Sequence, residues 1–128
     1  MMRERSFRMW SELSKKMSYD VEFVKKEDGF WFVSELGIIQ HHKESSSTRI
    51  FVMDYANVVD KTKEMIFEGD VLYEDNGNTW VVEWYKTGLQ MRSLQTNEIF
   101  FTLYDSCELK ILKIIGNKFE NPELLILQ

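Results

Sequence analysis

Residues 66–85 read IFEGDVLYEDNGNTWVVEWY, and this stretch decides the fold. Two runs rich in aromatic and β-branched residues, 66–73 and 79–85, flank the dipeptide Asn76-Gly77. A two-residue type I′ turn needs positive φ angles at both central positions, and Asn and Gly adopt them at the least cost. The stretch therefore predicts a β-hairpin. The side chains of Trp80, Val82 and Trp84 lie on one face of its second strand.

The composition predicts one compact, soluble domain. The chain has 128 residues, of which 44% are hydrophobic, so it can bury a core without metal or disulfide support. Cys107 is the only cysteine, so no disulfide can form within the chain, and we expect a cytoplasmic protein. The charged N-terminus lacks the apolar segment of a secretory signal, and no stretch reaches the roughly eighteen apolar residues that span a bilayer.

The charge is uneven along the chain. The net charge is −5, but residues 1–26 carry seven Lys and Arg against four acids, whereas residues 27–128 carry nine against seventeen. A globally acidic protein is a poor candidate for sequence-independent binding of nucleic acid, which depends on neutralising phosphates. The basic N-terminal segment, 1–26, is suited to contact either a phosphate backbone or the acidic remainder of a neighbouring copy of the chain.

Alternating and apolar runs predict further strands at 6–10, 17–24, 30–33, 50–53, 89–92, 99–104 and 109–115. The run 99–104 is almost continuously apolar, which is typical of a strand covered on both faces. Turns are predicted at Asp28-Gly29, Lys86-Thr87-Gly88 and Asp105-Ser106, and residues 54–64 predict a turn-rich connection. Asn121-Pro122 predicts the start of a short helical turn.

These elements predict a mainly β protein that consists of an N-terminal β section, 1–48, and a C-terminal section, 49–128. We expect the second section to be a small antiparallel barrel, SH3-like or partly open. The least regular region, 34–49, is where a boundary inside the single domain is expected.

Three motifs suggest a functional interpretation, and each has a simpler structural one. Asp70 after Gly69 is typical of a carboxylate that accepts backbone N–H groups at a turn. His41 and His42 are adjacent, so on a strand their side chains would point to opposite faces and not share one metal ion. Cys107 has no activating neighbour, which indicates an inert thiol. We therefore predict no catalytic residue, no metal site and no cofactor.

The aromatic residues of the predicted strands leave two alternatives open. Trp31, Trp80, Trp84 and Tyr85 suit either a stacking platform for single-stranded nucleic acid or peptide, or packing in a core or between subunits. Stacking platforms normally lie among Lys and Arg, whereas five acidic residues flank this hairpin. The flanking charge favours packing.

Three blocks of sequence resemble the YopX family of small phage and prophage proteins. They are the opening 3–10 (RERSFRMW), the middle from Met53-Asp54-Tyr55 to Glu68-Gly69-Asp70, and the close 114–125 (IIGNKFENPELL). The chain departs from the family pattern at Ala56-Asn57, where Thr-Gly is usual. The positions that carry the resemblance are Phe7, Arg8, Trp10, Tyr55, Glu68, Gly69, Asp70, Gly116, Asn117, Asn121, Pro122 and Glu123.

The resemblance implies a mostly β fold, a barrel-like C-terminal part and self-association, and it carries over no enzymatic activity. We expect a non-enzymatic accessory protein of a phage or prophage, acting in the bacterial host through protein–protein contacts, beginning with itself, and with no membrane partner. The alternative is a nucleic-acid-binding module that uses the basic N-terminal section, including Arg3, Arg5 and Arg8, with barrel-face aromatics. A hydrolase with an unrecognised site is a third class, which a pocket lined by convergent carboxylates or histidines would favour.

Overall fold

The computed structural model describes residues 7–126 except 36, 38, 41–43, 46–48 and 87. It is mainly β, with a curled half-barrel sheet, so the predicted fold class is confirmed. The chain divides into two compact units, the first ending at Tyr55 and the second beginning at Ala56.

The first unit contains two antiparallel sheets. Its strands are β1 (Phe7–Ser11), β2 (Lys16–Ser18), β3 (Val21–Lys26), β4 (Gly29–Ser34), β5 (Ile39–Gln40), β6 (Glu44–Ser45) and the first part of β7 (Ile50–Val59). One sheet has the order β2-β1-β7-β6, and the other has the order β3-β4-β5. The core consists of Met9, Val21, Phe32, Ile50 and Val52.

The predicted strand 17–24 is wrong, because the chain changes sheets within it. β2 pairs with β1, whereas β3 pairs with β4, and Tyr19 and Asp20 connect them. Ser18 is buried, and its hydroxyl accepts a hydrogen bond from the Ser34 hydroxyl at 2.9 Å. Hydrophobic alternation continued through this connection, so the sequence pattern did not show it.

The hairpin β3–β4 forms as predicted, but its turn lies one residue earlier. Lys26 pairs with Gly29, which leaves Glu27 and Asp28 as a two-residue loop. Gly29, at φ 124°, begins β4 instead of forming the turn.

The turn-rich connection predicted for 54–64 is wrong in its first half, because β7 continues to Val59. Asn57 adopts φ 63°, a conformation typical of turns, yet the strand passes through it. Ala56 and Val58 pack against the core of the second unit, and this burial outweighs the turn preference of Asn57.

The second unit is built on a five-stranded antiparallel sheet with the order β12-β11-β10-β9-β13. Its elements are β8 (Met65–Phe67), β9 (Asp70–Glu74), β10 (Thr79–Tyr85), β11 (Gly88–Ser93), β12 (Ile99–Phe100), α1 (Leu103–Glu108), β13 (Leu112–Asn117) and a 3₁₀ turn (Pro122–Leu125). β8 pairs with β7. The helical turn predicted after Asn121 is confirmed, with Pro122 in its first position.

The hairpin β9–β10 is confirmed, but the predicted type I′ turn is wrong. Leu72 pairs with Trp80, and the loop has three residues, Asp75 to Gly77. Gly77 N–H donates to the Glu74 carbonyl at 2.8 Å, and Gly77 alone takes a positive φ, 97°. This is a type I turn followed by a left-handed glycine, the usual three-residue solution.

The run 66–73 does not form one continuous strand. It is divided between β8 and β9, because the chain bends at Glu68-Gly69. Gly69 adopts φ 91°, and Asp70 Oδ2 accepts the Phe67 N–H at 2.8 Å. A carboxylate that closes a turn beside a left-handed glycine is the arrangement that the residue pair Gly69-Asp70 indicates.

The strand predicted at 99–104 is wrong beyond Phe100, because the chain enters helix α1, which also contains Asp105 and Ser106. Leu103 is buried and Cys107 packs against the same core, so this helix buries one face at a spacing of four. Leu109 is exposed, and β13 therefore begins only at Leu112. A short apolar run does not distinguish strand from helix by periodicity.

Candidate interaction surface

The structure separates buried from exposed aromatic residues. Trp80 lies in the core of the second unit, with its ring 4.8 Å from the Phe100 ring in an edge-to-face arrangement. Its indole N–H has no hydrogen-bond partner among the residues that the structure describes. Trp31 is half-buried and donates to Asp28 Oδ1 at 2.8 Å, whereas Trp84 is 50% exposed.

A stacked aromatic pair lies on the hairpin of the first unit. The rings of Phe23 and Phe30 are 5.0 Å apart with an interplanar angle of 13°, and the two residues are 48% and 50% exposed. Phe32, opposite Phe23 across the hairpin, connects the pair to the core, with its ring 4.8 Å from that of Phe23. Phe7 packs edge-to-face on Phe32 at 5.1 Å. The core therefore fixes one side of the pair and leaves the other side to solvent.

The second unit also exposes aromatic side chains, at the ends of β10 and β12. Tyr85 and Phe101 lie 5.6 Å apart, and the Lys86 ammonium lies 5.8 Å from the Tyr85 ring. Phe101 is 59% exposed. The second unit as a whole is acidic, because residues 56–128 carry seven Lys and Arg against twelve Asp and Glu.

Next to this region, a half-buried ion pair fixes one face of the sheet. Arg92 Nε donates to Glu83 Oε1 at 2.9 Å, and Arg92 Nη2 donates to Glu83 Oε2 at 3.2 Å. The hydrogen bonds from Arg92 lower the pKa of Glu83 and, in turn, raise the pKa of Arg92. The bidentate geometry is the stronger kind of carboxylate–guanidinium contact.

The middle and closing signature blocks meet at one buried junction of the second unit. Asn117, at the end of β13, pairs with Asp70, at the start of β9, and Lys118 N–H donates to the Gly69 carbonyl at 2.9 Å. Asn117 Oδ1 accepts the N–H groups of Phe119 and Glu120 at 3.0 and 2.8 Å. The side-chain oxygens of Asp70 and Asn117 thus accept backbone N–H groups, and Asn117 Nδ2 donates to Glu120 Oε1 at 2.8 Å.

The remaining signature residues of the closing block hold the 3₁₀ turn against this junction. Asn121 Oδ1 accepts the Asn117 N–H at 3.1 Å and makes no capping hydrogen bond to the 3₁₀ turn. A Cβ at Gly116 would lie 2.5 Å from that oxygen and 2.7 Å from Leu124 Cδ1. Pro122 and Glu123 are exposed, and Glu68 is half-buried.

Of the four signature residues of the first unit, Arg8 and Trp10 are buried, and Phe7 and Tyr55 are half-buried. Arg8 is 2% exposed and donates to Met53 Sδ at 3.4 Å, with its guanidinium 6.0 Å from the Tyr19 ring. Trp10 is buried and donates to Glu12 Oε1 at 2.9 Å, and Tyr55 is half-buried. Arg8 is therefore placed inside the protein instead of at a surface for phosphates, and Arg3 and Arg5 lie outside the described residues.

Asp60 is a buried carboxylate that the sequence reasoning missed. It is 3% exposed, and its oxygens accept hydrogen bonds from Thr62, Glu64 and Ile114. Burial alone would raise its pKa, but the hydrogen bonds from Ile114, Thr62 and Glu64 lower it below the ordinary 3.8. The local pattern Asp-x-Thr-x-Glu was the available signal.

Cys107 is half-buried in α1. Burial, together with the negative charges of Asp60 and Glu108, raises the pKa of its thiol to about 11. The thiol is therefore protonated at neutral pH, whereas nucleophilic cysteines have lowered pKa values. His41 and His42 lie outside the described residues, and within the described part no group of three His, Cys, Asp or Glu side chains is placed to hold a metal ion.

An open groove of about 630 Å³ lies beside the signature junction. Val71, Ile115 and Leu124 form apolar parts of its wall, and Glu123 is the one ionisable side chain among the described residues that line it. Gln95 Nε2 donates to Thr79 Oγ1 at 2.7 Å, so these two polar groups of the wall satisfy each other. The groove is thus not lined by the convergent carboxylates or histidines that would favour a hydrolase. No helix of the described residues is long and apolar enough to cross a membrane.

The fold and the buried junction define a class: a small, mainly β protein of two units whose sequence signature stabilises its own turns. The chain belongs to the YopX family, whose model, described as YopX protein, matches residues 6–126. The earlier resemblance is therefore confirmed.

Two solved structures share the fold. Protein EF1440 from Enterococcus faecalis has a TM-score of 0.69 and 19% sequence identity, with 94% of this chain and 97% of that chain covered. Protein yopX from Bacillus subtilis has a TM-score of 0.60 and 16% identity, with 97% and 100% covered. No curated protein matches the chain.

Proposed function

We propose that the chain is a non-enzymatic accessory protein of a phage or prophage, acting in the bacterial host cytoplasm through protein–protein contacts that begin with its own copies. The observation that carries the proposal is the stacked pair Phe23–Phe30, half exposed on a hairpin that the core holds in place. Aromatic side chains are enriched at the centres of protein interfaces. Membership of the YopX family supports the phage or prophage origin.

The charge distribution supports self-association through the first unit. Residues 1–55 carry nine Lys and Arg against nine Asp and Glu, so two first units meet without net repulsion. Residues 56–128 have a net charge of −5, and contacts between two second units therefore work against like charge.

The non-enzymatic part of the proposal is supported by how the reactive side chains are used. The thiol of Cys107 has a raised pKa, and the carboxylates of Asp60 and Asp70 accept backbone N–H groups of their own chain. A general base needs a free, convergent partner within reach of a substrate.

Sedimentation of the full chain at micromolar concentration tests the proposal. We expect a species heavier than the 15.3 kDa monomer, and association that persists in moderate salt because the contact is apolar. Phe23→Ser should shift the equilibrium towards the monomer. Trp84→Ser is the matched control, since Trp84 is equally exposed but lies in the second unit. A 15.3 kDa monomer at every concentration would refute the proposal.

A further inference from the structure

Strand β3 forms an edge of its sheet. The sheet order is β3-β4-β5, and among the described residues β3 pairs only with β4. Four of its side chains, Glu22, Phe23, Lys25 and Lys26, are exposed. A strand edge with unpaired backbone groups is a ready template for another strand.

The hairpin register shows which backbone groups point to the free edge. Lys26 and Gly29 flank a two-residue loop, so they form the closing hydrogen-bonded pair. Hydrogen-bonded and non-hydrogen-bonded pairs alternate along an antiparallel ladder. The N–H and C=O groups of Val21, Phe23 and Lys25 therefore point outwards, and no described residue pairs with them.

We infer that β3 pairs antiparallel with β3 of a second copy about a two-fold axis at Phe23. This inference rests on the proposed self-association and names its contact. In this register Val21 lies opposite Lys25 of the second copy, and Phe23 lies opposite its own equivalent. The three outward-pointing residues then form three pairs with up to six backbone hydrogen bonds.

The charge of Lys26, at the end of β3, and that of Asp20, in the connection just before β3, fit this register and disfavour its neighbours. Asp20 lies opposite Lys26 of the second copy, and by symmetry this charge pair occurs twice. A shift by two residues in either direction loses one of the three backbone pairs, and one of the two shifts also places Glu22 opposite Glu22. Lysines on an edge strand disfavour unspecific pairing, but in this register Lys26 meets a carboxylate.

The exposed aromatic pair continues across the same axis. Phe23 stacks on Phe30 within one copy, and Phe23 of the second copy would add its ring next to the first. Four aromatic side chains would then lie in one row, in which the Phe23 ring of each copy covers that of the other on the side that is half exposed in the single chain.

Disulfide trapping in a Cys107→Ala background tests the contact directly. Cα atoms of a hydrogen-bonded antiparallel pair lie about 5.5 Å apart, which a disulfide can bridge, so Phe23→Cys should give a covalent dimer under mild oxidation. Phe30→Cys is the matched control, because Phe30 is equally exposed but lies on β4. The two copies of β4 would be about 14 Å apart, three strand spacings, which is out of reach.

A charge exchange tests the register. Lys26→Asp places two carboxylates opposite each other at both ends of the pairing and should weaken the dimer about tenfold. Adding Asp20→Lys restores the opposite charges and should restore the dimer. Circular dichroism of each variant shows whether the first unit remains folded.

The outcomes separate this inference from the proposed function. Trapping at position 23 but not at position 30, with rescue by the charge exchange, supports the β3 pairing. Equal trapping of the two cysteine variants overturns the β3 pairing. The absence of trapping in both variants overturns it as well, if the wild-type chain sediments as an oligomer, and either result leaves the self-association intact. A wild-type monomer overturns both.

Discussion

Oδ2 of Asp60 lies 3.0 Å from the backbone nitrogen of Ile114 and accepts its N–H across 54 residues of chain. The neighbouring Lys61 N–H donates to the Leu112 carbonyl at 2.9 Å. The loop after β7 therefore caps the outer edge of β13, the last strand of the second unit's sheet. An edge strand that is covered in this way is not available to another chain.

Asp60→Asn should destabilise the protein by about 1–3 kcal/mol. Both carboxylate oxygens of Asp60 accept N–H groups, whereas the asparagine side chain has one oxygen and one NH₂ group, so its NH₂ donor would face a backbone N–H donor. The free energy of unfolding, measured by urea denaturation, checks this. Asp75→Asn is the control, since the Asp75 side chain is 84% exposed in its ion pair with Lys61 and should change stability by less than about 0.5 kcal/mol. Equal effects of the two substitutions would contradict the role of Asp60.

The stability difference between wild type and Asp60→Asn should depend on pH. The pKa of Asp60 is lowered in the folded state, so its stabilising contribution is fully present above the unfolded value, near the ordinary 3.8. The contribution is lost as the pH falls through the folded pKa. Unfolding free energies of both proteins from pH 7 to pH 2 should therefore converge in acid, and a difference that stays constant would argue against the lowered pKa.

Gly116→Ala should cost about 1–3 kcal/mol, because the new Cβ would lie 2.5 Å from Asn121 Oδ1 and 2.7 Å from Leu124 Cδ1. Gly88→Ala is the matched control, since a Cβ there meets only the Gln90 side chain at 3.8 Å. Thermal unfolding of the two variants measures the difference. If Gly116→Ala is as stable as Gly88→Ala, the closing block does not require glycine.

Cys107 should react slowly with thiol reagents in the folded protein. Its pKa of about 11 lies two units above the ordinary 9.0, which reduces the thiolate fraction about a hundredfold at neutral pH. The labelling rate of native and urea-unfolded protein checks this. Asp60→Asn removes one of the negative charges that raise this pKa and should speed the native reaction, whereas a native rate equal to the unfolded rate would contradict the raised pKa.

Arg92→Lys should cost about 0.5–1.5 kcal/mol, because lysine cannot reproduce the two parallel hydrogen bonds to Glu83. A double-mutant cycle with Glu83→Gln measures the coupling between the two residues by urea denaturation. A coupling energy near zero would show that the pair contributes only its separate packing.

Local signals predicted the hairpins, since Asn76-Gly77 and Asp28-Gly29 each lie within one residue of a real turn. The Gly69-Asp70 turn and the helical turn at Pro122 were predictable for the same reason, because each depends on residues three or four positions away. Such contacts are visible in any short window of the sequence.

Features that depend on distant residues were not predictable. The apolar run after Ile99 predicts a strand from its pattern alone. It forms a helix because Leu103 and Cys107 pack against the core of the second unit, which the local sequence does not show. Asp60 is an ordinary turn residue until β13 supplies the Ile114 N–H. The backbone groups of β3 that point outwards are determined by the position and length of the β3–β4 turn. The sequence-based prediction placed that turn one residue too late.

The division after Tyr55 orders events during synthesis. Strands β1 to β4 and the first part of β7 are all translated before the second unit begins, whereas β13, which closes the sheet of that unit, is nearly the last element made. The first unit, with β3 at the edge of one of its sheets, is therefore synthesised while residues 56–128 are still to be added. In the proposed pairing, the strand that contacts a second copy is thus among the earlier elements made, and the capped edge of β13 is among the last.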